Sequence, residues 1–484
     1  MPSARFAATA VVRILLALLF LSAPVLTQAA PPAPLQDPIA AKIEKGDIRV
    51  GVVDFVRAPR TEDTSDVATN AARARIQYML PVTAGSHRLA VNDIRGLLYM
   101  TDVNAAPLLA YLDLREQDVG FDDSMFPNEA GLLGFAFHPD FMRSDTWGYG
   151  RFYTAYSTTD EARPADYAAD DAASHYSVIR EWTTHDPSAA VFSGTSREIF
   201  RIGQFSPNHN IATLMFDPSA RPDTPGYGLL FAGFGDGGAA NDPREYGQSL
   251  AIPHSSIIRI DPRPAVDGKP YQVPPDNPFV TNPAAAPEIW LYGLRHPQHF
   301  SFDAKGRIFI SDIGQNQVEE VNLGIRGGNY GWRLREGTFA TAFAVPGGTP
   351  GEVYAAPQPV GRPFLDPIAQ YDHDEGRAIG SGFLYEGEAI GALRGKYVFA
   401  ELVNGRVFYI DAPQDQAEQT TPALIQELRL MFERKERDLV DVTQMPNTYA
   451  PGPRVDLRLG KDAAGELYLL TKADGWIRKL VPAR

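Results

Sequence analysis

The chain contains no cysteine among its 484 residues. Disulfide bonds and lipid attachment to a thiol are therefore excluded. A protein of this size without disulfides must be held together by its hydrophobic core. The content of 44% hydrophobic and 11% aromatic residues is sufficient for an extensive core and argues against disorder throughout the chain.

Positive charge is also scarce, because 45 Lys and Arg residues face 59 Asp and Glu residues and leave a net charge of -14. Nucleic acids and anionic membrane surfaces select basic patches, so both are disfavoured as partners. A ligand that carries negative charge would need a local basic island within this acidic protein.

Apolar runs long enough to cross a membrane are absent from the sequence. Near the N-terminus, Arg5 and Arg13 precede an apolar run from Ile14 to Leu21, and a small-residue end follows at Thr27-Gln28-Ala29. These parts predict a secretory signal peptide over 1–29 and hence a periplasmic or secreted protein. The alternative is a membrane anchor, but the run is far shorter than the roughly 20 apolar residues that span a bilayer, so we expect no stable membrane insertion.

Glycine and proline are abundant, with 42 Gly and 40 Pro, which indicates many turns rather than long helices. Because large all-β folds often exceed the usual size of a domain, we expect one domain over 48–484, preceded by an unstructured lead-in over 30–47. An acidic stretch over 159–173 and a Pro- and Gly-rich stretch over 344–367 predict long surface loops.

One phrase recurs along the chain: a Gly, then a short run of apolar and aromatic residues, usually followed by Asp, Gly or Ser. Such recurrence favours the blades of a β-propeller over a sandwich or a barrel, and six copies predict an all-β, six-bladed β-propeller. A Gly at the start of each strand would supply a tight turn, and the apolar residues would pack one blade against the next. The copies are Gly96-LLYMTD, Gly150-RFYTAYS, Gly228-LLFAGFGD, Gly306-RIFISDIG, Gly395-KYVFAELV and Gly465-ELYLLTK.

Longer segments carry a resemblance to a known family. They read FPNEAGLLGFAFHPDF over 126–141, LYGLRHPQHFSFD over 291–303, SDIGQNQVEEVN over 311–322 and GGNYGWRLREG over 327–337. Over residues 48–484 the chain resembles the quinoprotein glucose/sorbosone dehydrogenase family. Members are six-bladed β-propellers, many of which hold pyrroloquinoline quinone (PQQ) and calcium above the central channel and oxidise sugars. The resemblance implies a PQQ- and calcium-dependent dehydrogenase of aldose sugars or related polyols that passes electrons to an external acceptor.

Such chemistry needs a base for the hydroxyl proton, a positive charge near the reduced quinone and a metal that polarises the accepting carbonyl. His209 in SPNHNIATLMFDP falls where the resembling enzymes have their catalytic histidine, and a loop histidine that hydrogen-bonds a turn is the alternative. Arg295 in GLRHP matches the arginine beside the quinone oxygens, where its planar fork can bind two oxygens, and a surface ion pair is the alternative.

Four further residues are predicted to contact the cofactor by the same resemblance: Glu129, His296, Arg454 and Arg458. The chain departs from the family pattern at three places. Most relatives have Asn where this chain has His296, and the best understood sugar dehydrogenases have a quinone-contacting lysine where this chain has Val403. The family often has H-x-G-G or H-x-S-G, whereas His209 is followed by Asn210-Ile211-Ala212, whose bulkier side chains could crowd a flat cofactor.

Calcium is expected at two places. The backbone carbonyls of Gly314 and Gln315 correspond to those that hold the quinone-bound calcium in the family, and carbonyl oxygens are suitable ligands for this hard cation. Glu320 and the carbonyl of Tyr330 align with a second, structural calcium in some relatives. For Glu320, the alternative is a solvated acidic pair with its neighbour Glu319.

Two other functions stay open at this point. The chain could be a non-catalytic ligand-binding propeller of the same family that has lost the cofactor, which the departures at Val403, His296 and 210–212 favour. It could also be a calcium-dependent hydrolase like the six-bladed sugar lactonases. That chemistry needs carboxylates and Asn around a central ion, and no convincing set stands at corresponding positions.

Overall fold

The structure is a computed structural model that describes residues 32–61, 72–125, 129–161, 163–169, 173–356, 363–413, 421–443 and 454–483. The predicted signal peptide lies outside these residues. The described chain is almost entirely β, with one short α-helix, α1, at Leu439–Thr443. No helix within the described ranges is long and apolar enough to cross a membrane.

The first strand stands apart from the groups that follow it. β1 (Lys45–Arg57) begins inside the predicted lead-in rather than at residue 48. Two four-stranded antiparallel groups come next along the chain. Their strands are β2 (Ile76–Pro81), β3 (Arg88–Asp93), β4 (Leu97–Asp102), β5 (Leu109–Asp113), β6 (Leu132–Phe137), β7 (Arg151–Thr158), β8 (His175–Thr184) and β9 (Gly194–Gln204).

Two further groups follow in the order β10-β11-β12-β13 and β14-β15-β16-β20. A small sheet of β17, β18 and β19 is inserted in the second of these, and β19 lies within the predicted surface loop over 344–367. The strands are β10 (Ile211–Phe216), β11 (Leu230–Phe234), β12 (Ser256–Ile260), β13 (Ile289–Tyr292), β14 (His299–Phe302), β15 (Ile308–Asp312), β16 (Val318–Gly324), β17 (Arg335–Glu336), β18 (Phe339–Thr341), β19 (Val353–Tyr354) and β20 (Ala369–Asp372).

The remaining strands form one nine-stranded sheet in the order β21-β22-β23-β24-β1-β28-β27-β26, with β25 paired to β24. β1 runs parallel to β24 and antiparallel to β28, so the N-terminal strand joins two four-stranded groups. The strands are β21 (Ile379–Leu384), β22 (Lys396–Glu401), β23 (Val407–Asp411), β24 (Gln426–Phe432), β25 (Lys435–Glu436), β26 (Leu457–Lys461), β27 (Leu467–Thr471) and β28 (Trp476–Pro482).

The first strand of each group, here called an inner strand, contacts the first strand of the next group. The inner strands are β2, β6, β10, β14, β21 and β26, and β26 contacts β2 in turn. Each pair of neighbouring groups also shares a buried hydrophobic cluster, and the last cluster joins β27 and β28 to β2–β4. The fold is therefore an all-β propeller, and we interpret this closed ring of six groups as the six predicted blades.

The repeated phrase falls on the third strand of the first group, β4, and on the second strand of the other five groups: β7, β11, β15, β22 and β27. The six glycines that open the phrase all have φ between 69° and 95°, a conformation that L side chains rarely adopt. The prediction that glycine supplies the tight turn before each strand is confirmed. The apolar residues of these strands lie in the clusters between groups, as the sequence predicts.

Candidate active site

The predicted site residues gather at one end of the ring because most of them stand just before an inner strand. We call this end, where the inner strands begin, the site mouth, and the opposite end the far mouth. The residues concerned are Glu129 before β6, His209 before β10, Arg295 and His296 before β14, Arg454 before β26, and Arg458 as the second residue of β26.

His209 is held by a buried carboxylate. Its Nδ1 lies 2.6 Å from Oδ1 of Asp236, which also accepts the backbone N–H of Gly238, and Oδ2 of Asp236 accepts Nε1–H of Trp332 at 2.9 Å. Burial opposes ionisation of Asp236, but the adjacent His209 and Arg295 outweigh it and lower the pKa of this carboxyl. An ionised Asp236 fixes the proton of His209 on Nδ1, so that Nε2 is the basic nitrogen. No hydrogen bond joins Nε2 to another described residue.

The backbone of His209 is equally constrained. Its φ of 55° lies in the left-handed region that side chains other than glycine seldom occupy. The backbone N–H of His209 donates to Oε2 of Glu129 at 2.7 Å, and the side chain of the next residue, Asn210, donates to the backbone carbonyl of Glu129. These bonds hold the imidazole in one orientation with only 4% of the residue exposed.

A second imidazole stacks on the first. The rings of His209 and His296 lie 4.6 Å apart with 16° between their planes, and Nε2 of His296 is 3.3 Å from Oε2 of Glu129. Burial is the main cause that lowers the pKa of His296, although Glu129 opposes it. Burial alone would raise the pKa of Glu129, but the hydrogen bond and charge of His296 and the charge of His209 lower it strongly. Nδ1 of His296 is buried, and no described residue forms a hydrogen bond with it.

The side chain of Arg295 extends to backbone carbonyls. Its Nη1 donates to the oxygens of Ile313 and Gly314 at 3.0 and 2.7 Å, and its guanidinium lies 5.6 Å from the ring centre of Trp332. Among the described residues, the guanidinium forms no ion pair with a carboxylate, and its buried Nε has no hydrogen-bond partner. The alternative of a surface ion pair is therefore wrong, because the cation lies inside the site mouth.

The loop that carries Gly314 and Gln315 is organised by one carboxylate. Oε1 of Glu336 accepts the backbone N–H groups of Gln315, Asn316, Gln317 and Val318 at 2.8 to 3.1 Å. Because N–H and C=O point in opposite directions across a planar trans peptide, the carbonyls of Gly314 and Gln315 face away from Glu336. Carbonyls in this orientation can contact a cation at the site mouth. The guanidinium of Arg295 already donates a hydrogen bond to one of them, the carbonyl of Gly314.

Glycine is required at 314 for a reason other than its freedom at positive φ. A Cβ at this position would lie 1.8 Å from the carbonyl oxygen of Val318. The residue therefore lets two backbone segments approach closely, and its φ lies outside the left-handed region.

Of the two residues of the predicted second calcium site, Glu320 has other partners for its carboxylate, while the contact described for Tyr330 involves its hydroxyl and not the predicted carbonyl ligand. Glu320 is buried and accepts hydrogen bonds from Asn322 and from the N–H of Gly337, so the alternative of a solvated pair is wrong. Burial raises the pKa of Glu320 to about 7. The hydroxyl of Tyr330 donates to the carbonyl of Leu323. Within the described ranges, no group of three or more His, Asp or Glu side chains could hold a metal ion. This second calcium site stays a prediction.

A buried basic cluster forms the other side of the site mouth. It consists of Arg75 before β2, Arg454 before β26, Arg458 on β26, and Lys472 after β27, all of which interact with the buried carboxylate of Asp456. Nε of Arg454 donates to Asp456 at 2.7 Å, and Nη2 of Arg458 donates to Gln298 at 2.6 Å. The structure thus contains the local basic island that an anionic ligand would need.

The departure at 210–212 does not crowd this mouth. Ile211 and Ala212 are the first residues of β10, and both are buried within the fold. Ile211 packs into the hydrophobic cluster between the second and third groups. Asn210 ties the loop to Glu129 through its side chain.

Sequence reasoning missed several residues that the structure brings to the site mouth, among them Arg75, Asp456, Asp236 and Lys472. Asp236 and Lys472 close the third and sixth copies of the repeated phrase, Asp236 after β11 and Lys472 after β27. Since the second strand of each of these two groups runs antiparallel to the inner strand, its end lies beside the start of the inner strand. The charged residue that closes these two copies was the signal that could have identified them.

A cavity of about 320 Å³ lies at the far mouth rather than at the site mouth. Its wall includes residues at or near the ends of all six inner strands, and none of the predicted site residues lines it. Aromatic side chains dominate this wall: Phe137, Phe216, Phe302 and Phe383.

The comparisons with known proteins agree with the fold. The family model described as glucose / sorbosone dehydrogenase matches residues 112–448. The HIPL1 protein of Arabidopsis thaliana is 26% identical over 457 residues, which are 84% of this chain and 61% of the plant protein. The aldose sugar dehydrogenase YliI of Escherichia coli is 26% identical over 59% of this chain and 68% of its own length. The chain thus spans about three fifths of the length of the plant relative.

Solved structures share the architecture at low sequence identity. The PQQ-bound form of aldose sugar dehydrogenase from Streptomyces coelicolor has a TM-score of 0.55 and 21% identity, covering 91% of this chain and 99% of that chain. The apo-form of the soluble aldose sugar dehydrogenase from Escherichia coli has a TM-score of 0.58 and 17% identity, covering 90% of this chain and 99% of that one. At these identities the likeness shows the propeller fold alone.

Proposed function

This chain belongs to the glucose/sorbosone dehydrogenase family, and from that premise we propose that it oxidises aldose sugars or related polyols with PQQ and calcium. The observation that carries the proposal is the buried pair of His209 and Asp236, which stands beside Arg295 and opposite the basic cluster. The names of an aldose sugar dehydrogenase relative and of a PQQ-bound structural neighbour support the same chemistry.

The residues at the site mouth fit a flat, anionic quinone. Nε–H of Arg295 and Nδ1 of His296 are buried and have no hydrogen-bond partner in the described part of the chain, so a polar ligand at the site mouth would satisfy them. Arg454 and Arg458 supply positive charge toward carboxylates, and Glu129 fixes the neighbouring imidazole. When bound, PQQ supplies the two-electron acceptor for the hydride that leaves the sugar carbon.

His209 is the general base in this proposal. Its Nε2 accepts the proton of the sugar hydroxyl, while Nδ1–H stays donated to Asp236 and the carboxylate stabilises the imidazolium that forms. Arg295 holds its charge beside the position of the reacting oxygens, where positive charge stabilises developing negative charge. The carbonyls of Gly314 and Gln315 would hold calcium beside the quinone, with the remaining ligands supplied by cofactor or water.

We further propose export to the periplasm or medium, on the strength of the predicted signal peptide over 1–29. Expression in a bacterial host followed by fractionation and N-terminal sequencing tests it. A mature N-terminus just after Ala29 in the periplasm or medium supports export, and an uncleaved chain in the cytoplasm contradicts it.

The catalytic proposal is tested by mixing the purified apoprotein with PQQ and calcium, following the quinone absorbance, and then assaying dye reduction with a panel of aldoses and polyols. We expect saturable quinone binding and sugar-dependent reduction. The absence of quinone binding at micromolar concentrations would remove the proposal.

A non-catalytic binding propeller is the second candidate. It is favoured by the burial of the two imidazoles, since His209 is only 4% and His296 only 2% exposed, and by the absence of a lysine at 403. The substitution His209→Ala separates the two functions. An enzyme loses turnover with little change in melting temperature, whereas a binding protein shows no turnover before the substitution and keeps its ligand affinity after it.

A further inference from the structure

Lys472 carries a buried amino group that has no partner among the residues that the structure describes. The residue is only 1% exposed, and its Nζ forms no hydrogen bond or ion pair with another described residue. The carboxylate of Asp456 is nearby, but it is bonded to Arg454 at 2.7 Å and not to Lys472. By contrast, hydrogen bonds are described for the side chains of Arg454, Arg458 and Arg295 at the same mouth.

Such an arrangement is unfavourable unless an anion completes it. Removing an ammonium from water without pairing it costs several kcal/mol. Burial is the largest cause that lowers the pKa of Lys472 far below 10.5, and the neighbouring cations Arg458, Arg75 and Arg454 lower it further against the single opposing charge of Asp456. A lysine with only a packing role could be replaced there by an apolar residue at a gain in stability, so its presence points to a ligand.

The position of Lys472 relates it to the lysine that is missing at 403. The carbonyl of Val403 accepts the backbone N–H of Val455 at 2.8 Å, and the carbonyl of Asp456 accepts the backbone N–H of Lys472 at 3.4 Å. Val403 and Lys472 therefore flank the same short segment, 454–456, from opposite sides. The chain lacks the family's lysine at 403, on one side of this segment, and has Lys472 on the other side.

We propose that Lys472, together with Arg458, is an anion-binding site that takes a carboxylate of the ligand at the site mouth. This inference rests on the proposed function, in which the ligand is PQQ, a planar quinone with three carboxylates. Lys472 donates to a carboxylate oxygen as a point charge, and Arg458, whose Nη2 is fixed by Gln298, supplies the second positive charge.

The test compares quinone binding, followed by absorbance, in the full chain, in Lys472→Met and in Lys461→Met. Lys461 ends β26 at the far mouth and pairs with Glu386 at 2.9 Å, so its replacement is the matched control. We expect Lys472→Met to weaken quinone binding at least about tenfold, as the loss of a charge-assisted hydrogen bond does, and Lys461→Met to leave it unchanged. Equal affinity of all three proteins overturns the proposal.

The melting temperature without ligand is a second readout. Because the pKa of Lys472 is lower in the folded than in the unfolded chain, the unfolded chain binds more protons below pH 10.5. The buried lysine therefore lowers stability at neutral pH, and its cost shrinks as pH rises toward 10.5. We expect apo Lys472→Met to melt higher than the parent protein at pH 7, with a smaller difference at pH 10. A lower melting temperature at pH 7 would mean that Lys472 is structural and would overturn the proposal.

Citrate, a redox-inert tricarboxylate, separates this inference from the proposed function. If the parent protein binds quinone and Lys472→Met binds it equally well, the inference fails and the dehydrogenase proposal stands. If quinone does not bind but citrate raises the melting temperature of the parent protein and not that of Lys472→Met, the dehydrogenase proposal fails and the anion site stands. If neither compound acts through Lys472, the anion site is overturned.

Discussion

At the scale of single residues, function at the site mouth depends on which nitrogen of His209 carries the proton. Asp236 decides this, because its carboxylate is buried, ionised and 2.6 Å from Nδ1. A neutral side chain of the same shape could accept only one of the donors that Asp236 now accepts, Nδ1–H of His209 and Nε1–H of Trp332. The tautomer of His209 would then no longer be fixed.

We therefore predict that Asp236→Asn lowers turnover by about 10²–10⁴-fold, the range that general base catalysis supplies. Quinone affinity should change little, since Asp236 touches His209 and Trp332 rather than the mouth itself. Dye reduction and absorbance titration measure the two quantities. Asp217→Asn, a change near the far mouth, is the control. Equal turnover in both variants would contradict the assigned role of Asp236.

Glu129 gives a prediction about pH. Its pKa is lower in the folded chain than its usual 4.5, despite burial, because His296 and His209 stabilise the carboxylate. An acid whose pKa falls on folding contributes stability above its unfolded pKa and loses it as pH falls through the folded pKa. We expect Glu129→Gln to have a lower melting temperature than the parent protein at pH 7. The difference between the two melting temperatures should become smaller below pH 4.5. Melting curves from pH 3 to 7 test this, and a gap that is constant with pH would contradict it.

At the scale of strands and loops, the repeated phrase predicted one strand in every group, the third in the first group and the second in the other five, because glycine at positive φ and apolar alternation are local requirements. The residues at the ends of the same strands could not be assigned a role from the sequence, because the strand that each one pairs with is not determined by local sequence. Lys472 is the last residue of the sixth copy, yet only the pairing of β27 with β26 brings it beside Arg458. The carboxylate of Glu336 was equally hidden, since it acts on a loop 18 to 21 residues away.

The loop over 314–318 gives a prediction at this scale. Gly314→Ala would push a Cβ against the carbonyl of Val318, so we expect a loss of about 1–3 kcal/mol in the free energy of unfolding, as overpacking usually costs. Quinone binding in the presence of calcium should weaken as well, because the carbonyls of Gly314 and Gln315 shift.

Gly391→Ala is the matched control for this substitution. Gly391 has open space around its Cβ position and no left-handed φ, so its replacement should change stability by less than about 0.5 kcal/mol. Denaturant unfolding measures both variants. If Gly314→Ala and Gly391→Ala change the free energy of unfolding equally, the close approach of residue 314 to Val318 does not constrain the loop.

At the scale of the whole molecule, the site mouth exists only while the ring is closed, because its residues come from different groups. Glu129 and His209 precede neighbouring inner strands, and Arg458 reaches Gln298 across the channel from β26. The join between the last two groups is the N-terminal strand β1, which pairs with β24 on one side and β28 on the other. A destabilising substitution in β1 should therefore weaken ligand binding at the distant site mouth as well as lower the stability of the fold.

Two adjacent valines of β1 test this. Val52 is 5% exposed and packs in the cluster between the last two groups, whereas Val53 points outward and is 45% exposed. Val52→Asp buries an unpaired charge, so we expect a loss of more than about 4 kcal/mol, a large part of the stability of a typical protein, together with weaker quinone binding. Val53→Asp should change the free energy of unfolding and the free energy of quinone binding by less than about 0.5 kcal/mol each, since an exposed substitution away from the core costs little. Melting curves and quinone titrations compare the pair. If Val52→Asp lowers the melting temperature but keeps full quinone affinity at 10 °C, closure through β1 stabilises the ring without shaping the site mouth.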